Sequence, residues 1–285
     1  MTDDTASLDS LRRRIDAIDD GLHDLLMERA SLVGQIAAAK SQTDGIALRS
    51  GREAQIVRRL VDRHRGPLPR AALVRIWREI MGALVGLQRR FSIAVAQPER
   101  GAGYIELARD HFGVVWPLTA TQTSGQVVRD VANDRASVGI VTAPDIVGGE
   151  NWWLALIPDV DNVPRVVGRL PMLSPEVPPG HPDPLHAFVV ALREPEASGA
   201  DRTLLVVETV PDVSRDRLRT LMAGVGLDCL AMLASHHAED SWLHLTEIEG
   251  FVERNDARLI ALTLGNPATV RSVRIIGCYP VPISA

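Results

Sequence analysis

Leu8-Asp9-Ser10-Leu11-Arg12-Arg13-Arg14-Ile15-Asp16-Ala17-Ile18-Asp19-Asp20-Gly21-Leu22-His23-Asp24-Leu25-Leu26-Met27-Glu28-Arg29 decides how the first third of the chain is read. Leu11, Ile15, Ile18, Leu22 and Leu25 recur in steps of four and three, and Leu32 and Ile36 continue the series, so one apolar stripe runs along a long helix. Between Leu25 and Leu32 the stripe is interrupted by Arg29, a cation on the face expected to be buried. Desolvating a guanidinium is costly, so that position calls for an anionic partner. The pattern continues through Ala37-Ala38-Ala39-Lys40 and stops near Thr43-Asp44-Gly45. A helix of about 34 residues is about 50 Å long. That exceeds what a 90-residue globule accommodates, and it invites a partner chain.

Ser50-Gly51-Arg52-Glu53 has the spacing of a capping box, and Ile56/Val57 with Leu60/Val61 predict a second helix to about Arg65. Gly66-Pro67-Leu68-Pro69 breaks it. A third helix is predicted from Leu73, Ile76, Trp77, Ile80, Leu84 and Leu87, ending near Arg90. Residues 1–90 therefore read as an all-α domain.

At Phe91 the texture changes. Short apolar runs at Ser92–Ala96, Val114–Trp116 and Val138–Val141 predict strands, with helices at Tyr104–His111 and Gly125–Asn133 between them. A proline-rich loop spans Pro171–Pro184, and Leu185–Leu192 reads as a further strand, which closes an α/β unit over 91–195. After a linker at Glu194–Asp201, residues 202–285 read as strand, helix, two strands, helix and strand, the βαββαβ order of a ferredoxin-like fold.

The 285 residues suffice for about two domains with cores of their own. Two cysteines, Cys229 and Cys278, argue against a disulfide framework, and the metal-ligand types are nowhere clustered, so neither a metal nor a cofactor is expected. The acidic start and the lack of a long apolar run predict a cytoplasmic chain with no membrane partner. Residues 1–90 carry 16 basic and 12 acidic side chains, and residues 91–285 carry 15 and 24. The small excess of positive charge in the first part suits an anionic metabolite and is too dilute for nucleic acid. Lys40 is the single lysine among 31 basic residues.

Covalent catalysis has no candidate: Gly-x-Ser-x-Gly is absent, and neither cysteine adjoins a histidine. The helical residues converge instead. Arg29 and Lys40, 11 positions apart, differ by about 20° around the helix and about 16 Å along it, so their side chains can close on a small dianion. Arg12 is about 42 Å from Lys40 along the same axis, so it can serve such a site only from an antiparallel second copy.

With these residues in place the first part resembles the all-helical AroQ-class chorismate mutases. The likeness rests on Leu11 to Asp19, Leu26-Met27-Glu28-Arg29, Ala38-Ala39-Lys40, Leu48 to Glu53 and Gln88. It implies an intertwined homodimer and an isomerase that rearranges chorismate to prephenate in aromatic amino-acid biosynthesis, without a cofactor. It further implies that Arg29, Arg52 and the partner's Arg12 hold the carboxylates. Lys40 and Gln88 would serve the ether oxygen, and Glu53 the ring hydroxyl, a role favoured over the alternative that Glu53 merely closes its capping box. Arg49 and Leu84 depart from residues that many members carry.

The remainder resembles a degenerate prephenate dehydratase followed by an ACT-like domain, the arrangement of the bifunctional P-protein. Gly101-Ala102-Gly103-Tyr104 and Ala136 to Val141 carry that likeness. The dehydratase letters Thr-Arg-Phe and Glu-Asn-Ser are absent, their places reading His186-Ala187-Phe188 and Thr142-Ala143-Pro144. The phenylalanine-binding signatures of ACT domains are absent too. The expectation is therefore an active mutase whose chemistry survives truncation at Arg90. Its rivals are a full mutase/dehydratase of phenylalanine biosynthesis, an isochorismate pyruvate lyase, and a regulatory protein whose tail binds a shikimate-pathway enzyme.

Overall fold

The computed structural model describes residues 7–39, 48–86, 91–98, 103–144, 150–175 and 184–284. Helix α1 (Leu8–Ala39) is 32 residues long and buries none of them. Its stripe lies open: Leu11, Ile15, Ile18, Leu22, Leu25, Leu32 and Ile36 are all about half exposed. The expected continuation of this helix to residues 43–45 lies outside the described residues.

Helices α2 (Ser50–Arg63) and α3 (Arg70–Val85) pack against each other through Val57, Val61, Val74 and Met81. The Gly66 turn between them sits at φ 111°, a left-handed conformation that glycine adopts without steric cost. Four buried side chains make a thin core. It is completed from the second half of the chain by Met172, Leu173 and Ile283.

That second half is built on one nine-stranded sheet, with spatial order β2-β1-β3-β6-β4-β10-β7-β9-β8. Its strands are β1 (Ile93–Ala96), β2 (Leu118–Thr121), β3 (Val138–Thr142), β4 (Arg165–Leu170), β6 (Ala187–Ala191), β7 (Asp201–Thr209), β8 (Cys229–His237), β9 (Trp242–Glu249) and β10 (Val270–Pro280). Short strands β5 (Leu173–Ser174) and β11 (Ile283–Ser284) pair separately. β1 pairs in parallel with β2 and β3, and the fully buried β1, β3 and β6 read as continuous apolar runs because both faces are covered. Helix α4 (Tyr104–Phe112) covers one face with Tyr104, Ala108 and Phe112. Helix α5 (Ser124–Ala132) and Trp152, Trp153 and Leu156 cover the other. The last unit runs β7, α6 (Arg215–Gly224), β8, β9, α7 (Ala257–Leu264), β10, in the order expected from the sequence.

Two expectations are corrected. Val114–Trp116 is a bend, with Val114 and Val115 exposed; the strand lies at Leu118–Thr121, where β1 supplies its hydrogen-bond partner. The stretch Glu194–Asp201, expected as a linker, is pinned: Glu196 pairs with Arg49 and Arg193, and Ser198 is buried against Asp201. The sheet runs unbroken across it, with β4 beside β10.

Candidate functional site

The capping-box spacing at Ser50 does not close a capping box. Arg49 is the N-cap residue and its side chain does not cap the helix, while the Glu53 amide donates to the Arg49 carbonyl at 2.9 Å. The Glu53 side chain turns inward. Its Oε2 accepts from Arg78 Nη1 of α3 at 2.6 Å, and the two side chains are 11 % and 4 % exposed. A charge-assisted bond in a low-dielectric interior is stronger than a solvated contact at a helix start, so the carboxylate goes to the cation. Arg78 is held at its other edge, where Nε donates to the His111 carbonyl of α4 at 2.8 Å.

Arg29 of α1 belongs to the same cluster. Its guanidinium is partly buried, burial pushes its pKa down, and the Glu53 carboxylate acts in the opposite direction. The buried Nη1 of Arg29 has no hydrogen-bond acceptor among the described residues. A desolvated guanidinium donor with no acceptor is a costly arrangement that an anion would relieve. The site therefore holds two cations around one carboxylate, with one donor unsatisfied.

His111, beside Arg78, is held well below the ordinary histidine pKa, first by burial and then by the Arg78 charge. It is neutral at pH 7, which spares the cluster a third positive charge.

Of the six residues singled out from the sequence, the fold brings Arg29 and Glu53 together. Arg52 is exposed and makes a long bond to Gln55 at 3.5 Å. Arg12 is exposed and contacts Asp9 of its own helix. Lys40 and Gln88 lie outside the described residues. Arg78 was missed. It sits on the α3 face between Val74, Met81 and Gly82, all buried, and an arginine at a core-facing position was the available signal.

The α/β region supplies the wall behind this site. Trp116 Nε1 donates to the Gly82 carbonyl at 3.0 Å, and a Cβ at Gly82 would stand 2.1 Å from the Phe112 carbonyl oxygen. A mid-helix glycine costs about 1 kcal/mol relative to alanine. Here it admits the backbone of α4. Leu48 and Val85 enter the same apolar cluster as Phe91 and Phe112.

No group of three or more His, Cys, Asp or Glu that could hold a metal occurs among the described residues. Burial pushes the Cys278 thiol up to about 12, so it is no thiolate nucleophile. No described helix is long and apolar enough to cross a membrane.

Residues 11–89 match the family described as Chorismate mutase type II. The chain is 31 % identical over 151 residues to the bifunctional chorismate mutase/prephenate dehydratase of Pseudomonas aeruginosa, covering 51 % of this chain and 41 % of that protein. It is 35 % identical over 125 residues to the enzyme of the same name from Neisseria gonorrhoeae, covering 44 % and 34 %. The matched stretch thus spans less than half the length of these relatives. Among solved structures, a prephenate dehydratase from Streptococcus mutans superposes with a TM-score of 0.46 at 15 % identity, covering 68 % of this chain and 100 % of that one.

Proposed function

We propose that the chain is a chorismate mutase, an isomerase that converts chorismate to prephenate. The observation that carries this is the buried Arg29 Nη1 beside Glu53, which has no acceptor among the described residues, within a stretch matching Chorismate mutase type II. The rearrangement is pericyclic: one C–O bond breaks as one C–C bond forms, with no nucleophile and no cofactor. A catalyst need only hold the compact pose and aim donors at the ether oxygen as negative charge gathers there. In this reading Arg29 takes a substrate carboxylate through its open donor, Glu53 accepts from the ring hydroxyl, and Lys40 and Gln88 donate to the ether oxygen. Arg52 adds positive charge at the rim. Glu53 can do this only if it is held still, which is the role of Arg78.

The same reading includes a homodimer. The exposed stripe of α1 suits a second copy of the helix running antiparallel, and the partner's Arg12 would then reach the site that Arg12 cannot reach in its own chain. It divides the chain into a mutase region at 1–90, a dehydratase-like region at 91–195 and an ACT-like region at 202–285, and it is a cytoplasmic reading. Dehydration is not part of it. At the place of the missing Glu-Asn-Ser group, the Thr142 hydroxyl is spent on buried Ser124 at 3.1 Å, and its carbonyl accepts from Trp152. A pathway enzyme as partner of the tail has no contact surface singled out for it.

Incubation of the purified chain with chorismate and, separately, with isochorismate, followed by chromatography, tests the reading. Prephenate alone is expected from chorismate. Phenylpyruvate above the acid-catalysed background would establish the bifunctional rival, salicylate and pyruvate from isochorismate the lyase, and both substrates unchanged a regulatory protein.

A further inference from the structure

A cavity of about 200 Å³ lies where α3, α4 and the chain between β4 and β5 meet. Its walls follow from helix spacing. Ala71, Val74, Arg75 and Arg78 stand at i, i+3, i+4 and i+7 of α3, and Leu107, Asp110 and His111 at i, i+3 and i+4 of α4, so each helix turns one face to it. Pro171, Met172 and Leu173 close the third side. Most of these side chains are apolar, and all belong to the described residues.

The charges in the walls are matched within the protein. Arg78 donates to Glu53 Oε2 at 2.6 Å and to the His111 carbonyl at 2.8 Å. At the rim Arg75 pairs with Asp110, both of them exposed. A ligand with a charge of its own would add an unmatched ion beside balanced pairs in a partly desolvated place, so a neutral molecule suits the cavity better.

His111 supplies the open polar function. Its ring packs edge-on against Phe112, with centroids 4.7 Å apart and planes at 80°, and neither ring nitrogen makes a hydrogen bond among the described residues. Burial and the Arg78 charge keep the imidazole neutral at pH 7. A neutral imidazole has one donor and one acceptor nitrogen, and a hydroxyl can answer either. The remaining space sets the size of the body. An apolar cavity of about 150 Å³ is enough for benzene, so this one has room for a single substituted ring. The thioether of Met172 favours an aromatic body over an aliphatic one.

We propose that this cavity binds a small neutral aromatic molecule bearing one hydroxyl, with the ring against Val74, Leu107, Met172 and Leu173 and the hydroxyl on the His111 imidazole. Arg29, whose open donor marks the helical site, does not line it. The proposal stands whether or not the chain rearranges chorismate.

The test is calorimetric titration of the full chain with 4-methylphenol, beside p-xylene, which lacks the hydroxyl, and 4-methylbenzoate, which carries a charge in its place. One site per chain is expected for 4-methylphenol. p-Xylene should bind roughly two- to tenfold more weakly, the scale of one neutral hydrogen bond, and 4-methylbenzoate should give no heat. His111→Phe keeps a ring and the backbone carbonyl but removes both nitrogens, so it should bind 4-methylphenol no better than p-xylene. Ala71→Trp fills the cavity from α3 and Leu107→Trp fills it from α4, each leaving every charge in place. Either variant, once its thermal unfolding shows it folded, should bind none of the three. Arg29→Ala should bind 4-methylphenol as the wild type does. No binding to the wild type, p-xylene or 4-methylbenzoate bound as tightly as 4-methylphenol, undiminished binding in His111→Phe or in a folded cavity-filling variant, or loss of binding in Arg29→Ala would each overturn the site.

Discussion

Glu53 on α2 and Arg78 on α3 form a buried ion pair at 2.6 Å, and the far edge of that arginine is held by the His111 carbonyl on α4. The candidate site is therefore assembled across the helical and α/β parts of the chain. Its one carboxylate is oriented by a residue whose own position depends on a helix outside the mutase-like stretch.

Arg78→Met leaves a buried carboxylate without its partner, which costs about 3–5 kcal/mol. The variant should melt lower and lose kcat/KM for chorismate. Pairing it with Glu53→Gln removes the unpaired charge, so the double variant should regain much of the stability and none of the activity. A double variant as unstable as Arg78→Met would show that packing, not charge, is what Arg78 contributes.

The chain should lose stability on mild acidification through His111. Its folded pKa is depressed below the unfolded value of about 6.5, so below that pH the unfolded state binds a proton that the folded state refuses. The contribution is fully present above about pH 6.5 and falls as pH drops toward the folded pKa. Urea midpoints at pH 7.5 and 5.5 should therefore differ more in the wild type than in His111→Asn; equal differences would refute the assignment.

Lys40→Ala should lower kcat by roughly two to three orders of magnitude, the scale of one lost transition-state donor, with helicity by circular dichroism retained. Lys40→Arg should also be poor, because a planar fork cannot replace a compact point charge aimed at a single oxygen. Wild-type turnover in either variant would remove Lys40 from the site.

Arg12→Ala and Lys40→Ala, each inactive alone, should recover activity when mixed and allowed to exchange subunits, since one site of the heterodimer is then free of both lesions. Leu22→Asp on the exposed stripe of α1 should shift the protein toward monomer in sedimentation velocity and reduce turnover in step. A wild type that sediments as a monomer at catalytic concentrations contradicts the dimer.

A chain ending at Arg90 loses the His111 carbonyl behind Arg78, the Trp116 bond to Gly82, and the Met172, Leu173 and Ile283 side chains that complete the α2–α3 core. The expectation, drawn from the sequence, that the mutase chemistry survives such a cut takes no account of these contacts. The truncated chain should melt well below the full chain and have lower kcat/KM, a comparison that thermal unfolding and initial rates make directly.

The amino-acid sequence by itself determined the local periodicities and the anomalies within them. The steps of four and three along α1, the cation at Arg29 that breaks the stripe, and the change to β-branched runs at Phe91 are properties of neighbours in the chain, fixed by backbone geometry. The tertiary structure decided what depended on distant partners. Glu53 has the same three-residue spacing from Ser50 whether it caps its own helix or faces inward, and a buried cation 25 residues further on settles it. Val114–Trp116 has the letters of a strand, but the strand formed where β1 offered hydrogen bonds. The two α/β units became one sheet because β4 and β10, more than 100 residues apart, lie side by side. In each case the deciding interaction is a charge or hydrogen bond whose strength comes from burial, and burial is a property of the assembled fold.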